Sequence, residues 1–182
     1  MQRKDVLMPV PAEEMGFLSE EDWGKLARAL DANPERLKAQ YAEAVAAHLR
    51  DPQPVVLKEQ RNAPAPSNAP SFDFSKTFEA TIVPGVLTLR VVVSASTGEN
   101  WSAHVKVSAV VFGTELGSAE ANLSAVNSYV EIHPSVLLAK ADLRIGFSGE
   151  RLCFFVQGQA CYWALSWHCT SVDAHNLFCL RS

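Results

Sequence analysis

Residues 150–169 read Glu150-Arg-Leu-Cys-Phe-Phe-Val-Gln-Gly-Gln-Ala-Cys-Tyr-Trp-Ala-Leu-Ser-Trp-His-Cys169. How this stretch turns decides which side chains face a core and which face solvent. Apolar residues alternate on both sides of Gly158-Gln159, and a two-residue turn there is the simplest reading, because glycine at the first central position suits a type II′ hairpin. That register sets Val156 opposite Cys161, Phe154 opposite Trp163 and Leu152 opposite Leu165. A second two-residue turn at Gly149-Glu150 pairs Phe147 with Leu152, Ile145 with Phe154 and Leu143 with Val156. Both registers put the same residues of the shared strand 151–157 on the core face.

The rest of residues 72–182 follows the same pattern. Runs such as VLTLRVVVSAS and SAHVKVSAVVF alternate with turn residues at short spacing, giving seven or eight antiparallel strands. A three-residue loop Gly98-Glu99-Asn100 pairs Val93 with Val105, Val91 with Val107, Leu89 with Ala109 and Leu87 with Val111. Asn100 is then expected in the left-handed conformation.

Upstream the chain changes character. Residues 1–61 hold 20 charged side chains and residues 62–182 hold 16, so a polar piece precedes a charge-poor one. Ser19, with Leu18 and Trp23 as a hydrophobic staple, opens one helix. Asn33-Pro34 caps a second, and Asp51-Pro52 ends it. Trp23, Leu26, Ala27, Leu30, Leu37, Tyr41, Val45, His48 and Leu49 recur at helical spacing. Arg61–Pro70, RNAPAPSNAP, favours an extended polyproline segment. The expected fold is α+β with a mainly-β core. It comprises an extended segment 1–17, a helical hairpin 18–51, a Pro-rich linker 52–71, and a 7–8-stranded antiparallel β-sandwich or barrel over 72–182.

Composition narrows the function. A net charge of −4 without a Lys/Arg block argues against a nucleic-acid partner. No apolar run reaches the roughly 18 residues of a membrane span. The start, MQRKDVLMPVPAEEMGF, lacks the pattern of a secretory signal. The expectation is a cytoplasmic protein with thiol cysteines, although export without a cleavable signal stays compatible.

In the Gly158 register Cys161, Trp163, Trp167 and Cys169 face the core. Cys161 and Cys169 then lie on one strand roughly 26 Å apart and cannot bond, which leaves Cys169–Cys179 as the better disulfide option. Cys153 and His168 share a face but stand roughly 13 Å apart, against the about 3 Å of a nucleophilic pair. HCTSVDAHNLFC lacks the short Cys-x-x-Cys knuckle of structural zinc sites, and neither a metal nor a cofactor is expected. Nucleotide-binding, serine-hydrolase and zinc-protease motifs are absent.

The opposite face carries Arg144, Phe155 and Tyr162 in one row, small residues in the next, and Ser148, Arg151 and Ser166 beyond. An aromatic row flanked by arginines over a shallow floor suits a planar or sugar-like ligand, with an acidic group at Arg151. The competing expectation, favoured because a helical stripe must bury itself, is that the N-terminal helices cover Phe155 and Tyr162. Functionally the chain reads first as a non-enzymatic interaction or assembly module, meeting itself or another protein through the charge-poor β half and the helical arm. The alternative is a small-ligand or carbohydrate-binding domain using Arg144, Phe155, Tyr162, Arg151 and Ser166. A pore-forming toxin and an enzyme of unnamed reaction are further readings.

Overall fold

The computed structural model describes residues 20–60, 73–136, 138–164 and 166–182. The expected cap and staple at Ser19 and Leu18, the N-terminal segment and the polyproline stretch lie outside them. Among the described residues, helices α1 (Glu20–Leu30) and α2 (Pro34–Arg50) are followed by ten strands: β1 (Lys58–Glu59), β2 (Phe74–Val83), β3 (Leu87–Ser96), β4 (Ser102–Val111), β5 (Thr114–Ser124), β6 (Tyr129–Ile132), β7 (Ser135–Val136), β8 (Ala139–Ser148), β9 (Cys153–Trp163) and β10 (Trp167–Ala174). The described chain is mainly β. Strands β1 to β5 form one antiparallel sheet in sequence order, and β10-β9-β8-β6 form a second, with β7 also on β8. Neither closes into a barrel.

The two sheets share a core. Phe78 of β2 stacks on Phe154 of β9 at 6.0 Å, and Trp101, ahead of β4, meets Phe147 of β8 at 5.2 Å. Phe178 inserts from the C-terminal segment, stacking on both Phe78 and Phe154. The expected β3–β4 register holds at every named pair. In its loop, however, positive φ falls on Gly98 rather than Asn100, because glycine takes that conformation without a Cβ clash.

The opening stretch folds differently from the sequence expectation. β9 runs unbroken through Gly158 and Gln159, and the chain reverses only after Trp163, where Trp163 pairs with Trp167. Gly158 does not turn the chain. A Cβ there would stand 2.0 Å from the Asp142 carbonyl oxygen, and its φ is +145°. It is a glycine of close strand approach. The β8–β9 loop is also longer than expected, spanning Gly149–Leu152, so Phe147 pairs with Phe154 and Ile145 with Val156. A shift of two residues preserves parity, and the expected core face 143, 145, 147, 154 and 156 survives. Beyond Gly158 the parity reverses. Ala160 and Tyr162 belong to the core, and Cys161 with Cys169 moves to the outer face.

That reversal corrects the cysteine chemistry. Cys161 and Cys169 are directly opposed across β9–β10 and form a disulfide; Cys153 is bonded to Cys179. The cysteines are therefore not thiols, and the Cys169–Cys179 option falls. Cys153 is spoken for as a nucleophile. His168 sits apart, stacked on Tyr162 with Nε2 against the Ala164 carbonyl oxygen.

The helices bury their stripe on the same chain. Asn33 caps α2 by accepting from the Glu35 and Arg36 amides. Trp23 meets Tyr41 edge-on at 5.9 Å, and Lys38 of α2 bonds to Glu20 of α1. The Tyr41 hydroxyl donates to the Trp163 carbonyl oxygen, which fixes α2 to the end of β9. His48 lies edge-on to Tyr162 at 5.6 Å. Helical coverage is thus half right: Tyr162 lies beneath α2, whereas Phe155 does not.

Burial holds the His48 imidazole below its ordinary pKa of 6.5, since desolvation penalises the cation. Unfolding then takes up a proton, so His48 contributes stability above roughly pH 6.5 that is lost as pH falls towards the lower folded value. Replacing His48 by Leu should flatten the dependence of denaturation midpoint on pH between about 7 and about 5; an unchanged slope would show that His48 is solvated.

The disulfides close loops of 26 and 8 residues' separation. Chain entropy assigns them about 3.5 and about 2.5 kcal/mol. Cys153→Ala/Cys179→Ala should therefore lower the urea midpoint more than Cys161→Ala/Cys169→Ala, with non-reducing peptide mapping to verify the pairing.

Candidate functional site

The outer face of the second sheet carries the candidate site, and the registers lay it out in rows. Tyr129 of β6, Gly146 of β8 and Phe155 of β9 are in register. His175, just after β10, continues the row by stacking on Phe155 at 6.2 Å and 24°. Two residues along lie Glu131, Arg144, Gln157 and Asp173. Tyr129, Arg144, Phe155, Gln157 and His175 of these rows line an open groove of about 590 Å³, with Glu99, Trp101, Ser148 and Arg181 also in its wall.

Gly146 makes the row possible. A Cβ at this position would stand 2.2 Å from the Ser128 carbonyl oxygen and 2.5 Å from the Tyr129 Cα. Only a bare backbone lets β6 lie so close to β8. The glycine also leaves no side chain between Tyr129 and Phe155. Gly146 itself is buried beneath β6.

Two polar pairs flank the aromatic row. The Arg144 guanidinium lies 5.1 Å from the centre of the Tyr129 ring and bonds to Glu131 at 3.0 Å. His175 Nε2 is 2.6 Å from Asp173. Tyr129 is 54% exposed, Phe155 only 8%, so one ring stands at the rim and the other forms part of the base. Such a surface can stack an apolar ring face while offering planar donors and acceptors beside it.

The residues singled out from sequence divide. Arg144 and Phe155 both line the groove, though they occupy adjacent rows and not one row. Tyr162 is removed from the site, being 4% exposed on the core face beneath His48, because β9 does not turn at Gly158. Arg151 lies in the β8–β9 loop and lines a neighbouring depression with Arg181 and Phe178. Ser166 sits in the β9–β10 loop beyond Trp163, at the end of β9 remote from Phe155. Sequence reasoning missed Tyr129, Gln157 and His175. Alternation in SYVEI does place Tyr129 and Glu131 on one face, but the β6–β8 pairing spans the β7 excursion and leaves no local signal.

Comparison of the chain with protein-family models, with curated proteins and with solved structures finds no match.

Gly146→Ala should displace β6 and disrupt the Arg144–Tyr129 contact, at a cost of about 1–3 kcal/mol read by thermal or urea denaturation. Wild-type stability in that variant would mean that β6 is free to stand off from β8.

Proposed function

We propose that this chain is a β-sandwich domain that binds a saccharide in the groove between Tyr129 and Phe155, without catalysis, in an oxidising compartment. The observation that carries the reading is the groove in which Tyr129 and Phe155 are flanked by Arg144 and Gln157. Sugars present apolar C–H faces and a ring of hydroxyls. The first suits stacking on the exposed Tyr129 ring with Phe155 at the base of the groove, the second suits amide, guanidinium and carboxylate groups in the next row. The two disulfides support the location, since such bonds persist in extracellular, periplasmic and similar environments and are rare in reducing cytoplasm. They favour an oxidising compartment over the expected cytoplasmic one. No helix among the described residues is long and apolar enough to cross a membrane.

A protein-interaction or assembly role is the second reading, with self or another protein as partner. Its helical docking arm loses support, because Trp23, Leu37, Tyr41 and Val45 are already buried in cis. Support passes to Val126, 90% exposed in the β5–β6 loop, and to Tyr129 close by.

The deciding experiment is calorimetric titration of full-length protein with a panel of neutral oligosaccharides, beside Phe155→Ala. Saccharide binding that weakens by at least about tenfold in the variant, with unchanged circular dichroism, is the expected result. Binding to no sugar, together with a concentration-dependent mass in light scattering that Val126→Asp abolishes, would favour assembly.

A further inference from the structure

The outer face extends past the groove. Two residues beyond the Glu131–Arg144–Gln157–Asp173 row, Asp142, Gln159 and Ser171 are in register across β8, β9 and β10. His133 joins them from the end of β6, with Nδ1 2.7 Å from Asp142. Successive rows on a strand face stand roughly 6.6 Å apart, so three rows span roughly 13 Å along β9. Asp142, Gln159, Ser171 and His133 are all exposed, and this face continues directly from the aromatic row.

The chemistry of these rows is that of a hydroxyl reader. Gln157 and Gln159 each offer two donors and an acceptor. The carboxylates of Glu131, Asp142 and Asp173 offer acceptors beyond those used by Arg144, His133 and His175. Arg144 is paired with Glu131, and Asp142 and Asp173 add two further carboxylates, so these rows have no surplus positive charge to attract a polyanion. Three carboxylates in two rows would repel one. The rows succeed one another in the strand direction, so a ligand held at Phe155 and Tyr129 meets them by extending along β9.

We propose that the row of Asp142, Gln159 and Ser171, with His133, forms the additional subsites, and that the ligand is an extended neutral oligosaccharide lying along β9 rather than a single sugar. The proposal rests on the saccharide reading of the groove. Full-length protein is titrated with glucose, mannose and N-acetylglucosamine, with their β- or α-linked oligomers of increasing length, and with polygalacturonate as the acidic probe. Affinity should rise by about tenfold or more from monomer to longer oligomer. Gln159→Ala combined with Asp142→Asn should erase that gain while leaving monomer affinity in place, and Phe155→Ala should abolish both. Oligomers that bind no better than monomers, a length gain that survives the double substitution, or tighter binding of polygalacturonate would each overturn the subsites and leave the groove standing. Failure of every sugar to bind would overturn both.

Discussion

The unbroken run of β9 from Cys153 to Trp163 is the constraint on which the remaining structure depends. Because side chains on a strand alternate faces, continuity through Gly158 fixes Phe154, Val156, Ala160 and Tyr162 inward, and Phe155, Gln157, Gln159 and Cys161 outward. The core, the disulfide partners and the candidate site all follow from that one parity. Continuity itself requires Gly158, where the Asp142 carbonyl oxygen leaves no room for a Cβ.

Around this strand the fold is held at both ends. At the start of β9, Cys153 is tied to Cys179, and the C-terminal segment adds backbone bonds from Phe154 to Phe178 and from Leu177 to Phe154. The same segment inserts Phe178 into the core and carries His175 onto Phe155. Near the far end, Cys161–Cys169 ties β9 to β10, and the Tyr41 hydroxyl holds the carbonyl oxygen of Trp163. Burial pushes the Tyr41 phenol far above its usual pKa, so it remains the protonated donor this contact needs. The helices thus complete the core instead of hanging from it.

Much of the architecture was legible from local pattern. The β3–β4 register followed from matching Val91, Val93, Val105 and Val107, and the Asn33-Pro34 cap from its chemistry. Gly149 and Gly158 show where such reading ends. Both precede a polar residue between apolar runs, and two-residue turns satisfied the apolar pattern at each. One begins a four-residue loop; the other lies within a strand. What separates them is a non-local contact, the approach of Asp142 to Gly158, which no window of sequence around residue 158 displays. The error at Gly158 then reversed the faces of Tyr162 and Cys161. Arg144 and Phe155 lie on stretches read with the correct parity, and those two residues stayed at the site.

The same stapling bears on what the outer face can do. Binding pays for ordering side chains and loops, and a site built on paired strands has already met most of that cost in folding. Gln157 and Gln159 project from the central pair of the second sheet. Arg144 is held by Glu131 and Tyr129, His133 by Asp142, and His175 by Asp173 and Phe155. Asp142 is held below its ordinary carboxyl pKa, first by His133 and further by Gln159, so its acceptor oxygens stay ionised over a wider acidic range. On the proposed saccharide reading, a face of this kind gains little from rearrangement and depends on matching a ligand whose groups repeat along its length. Rows of polar side chains at strand spacing, beginning at an aromatic row, meet that condition for a chain of linked rings more closely than for an isolated one.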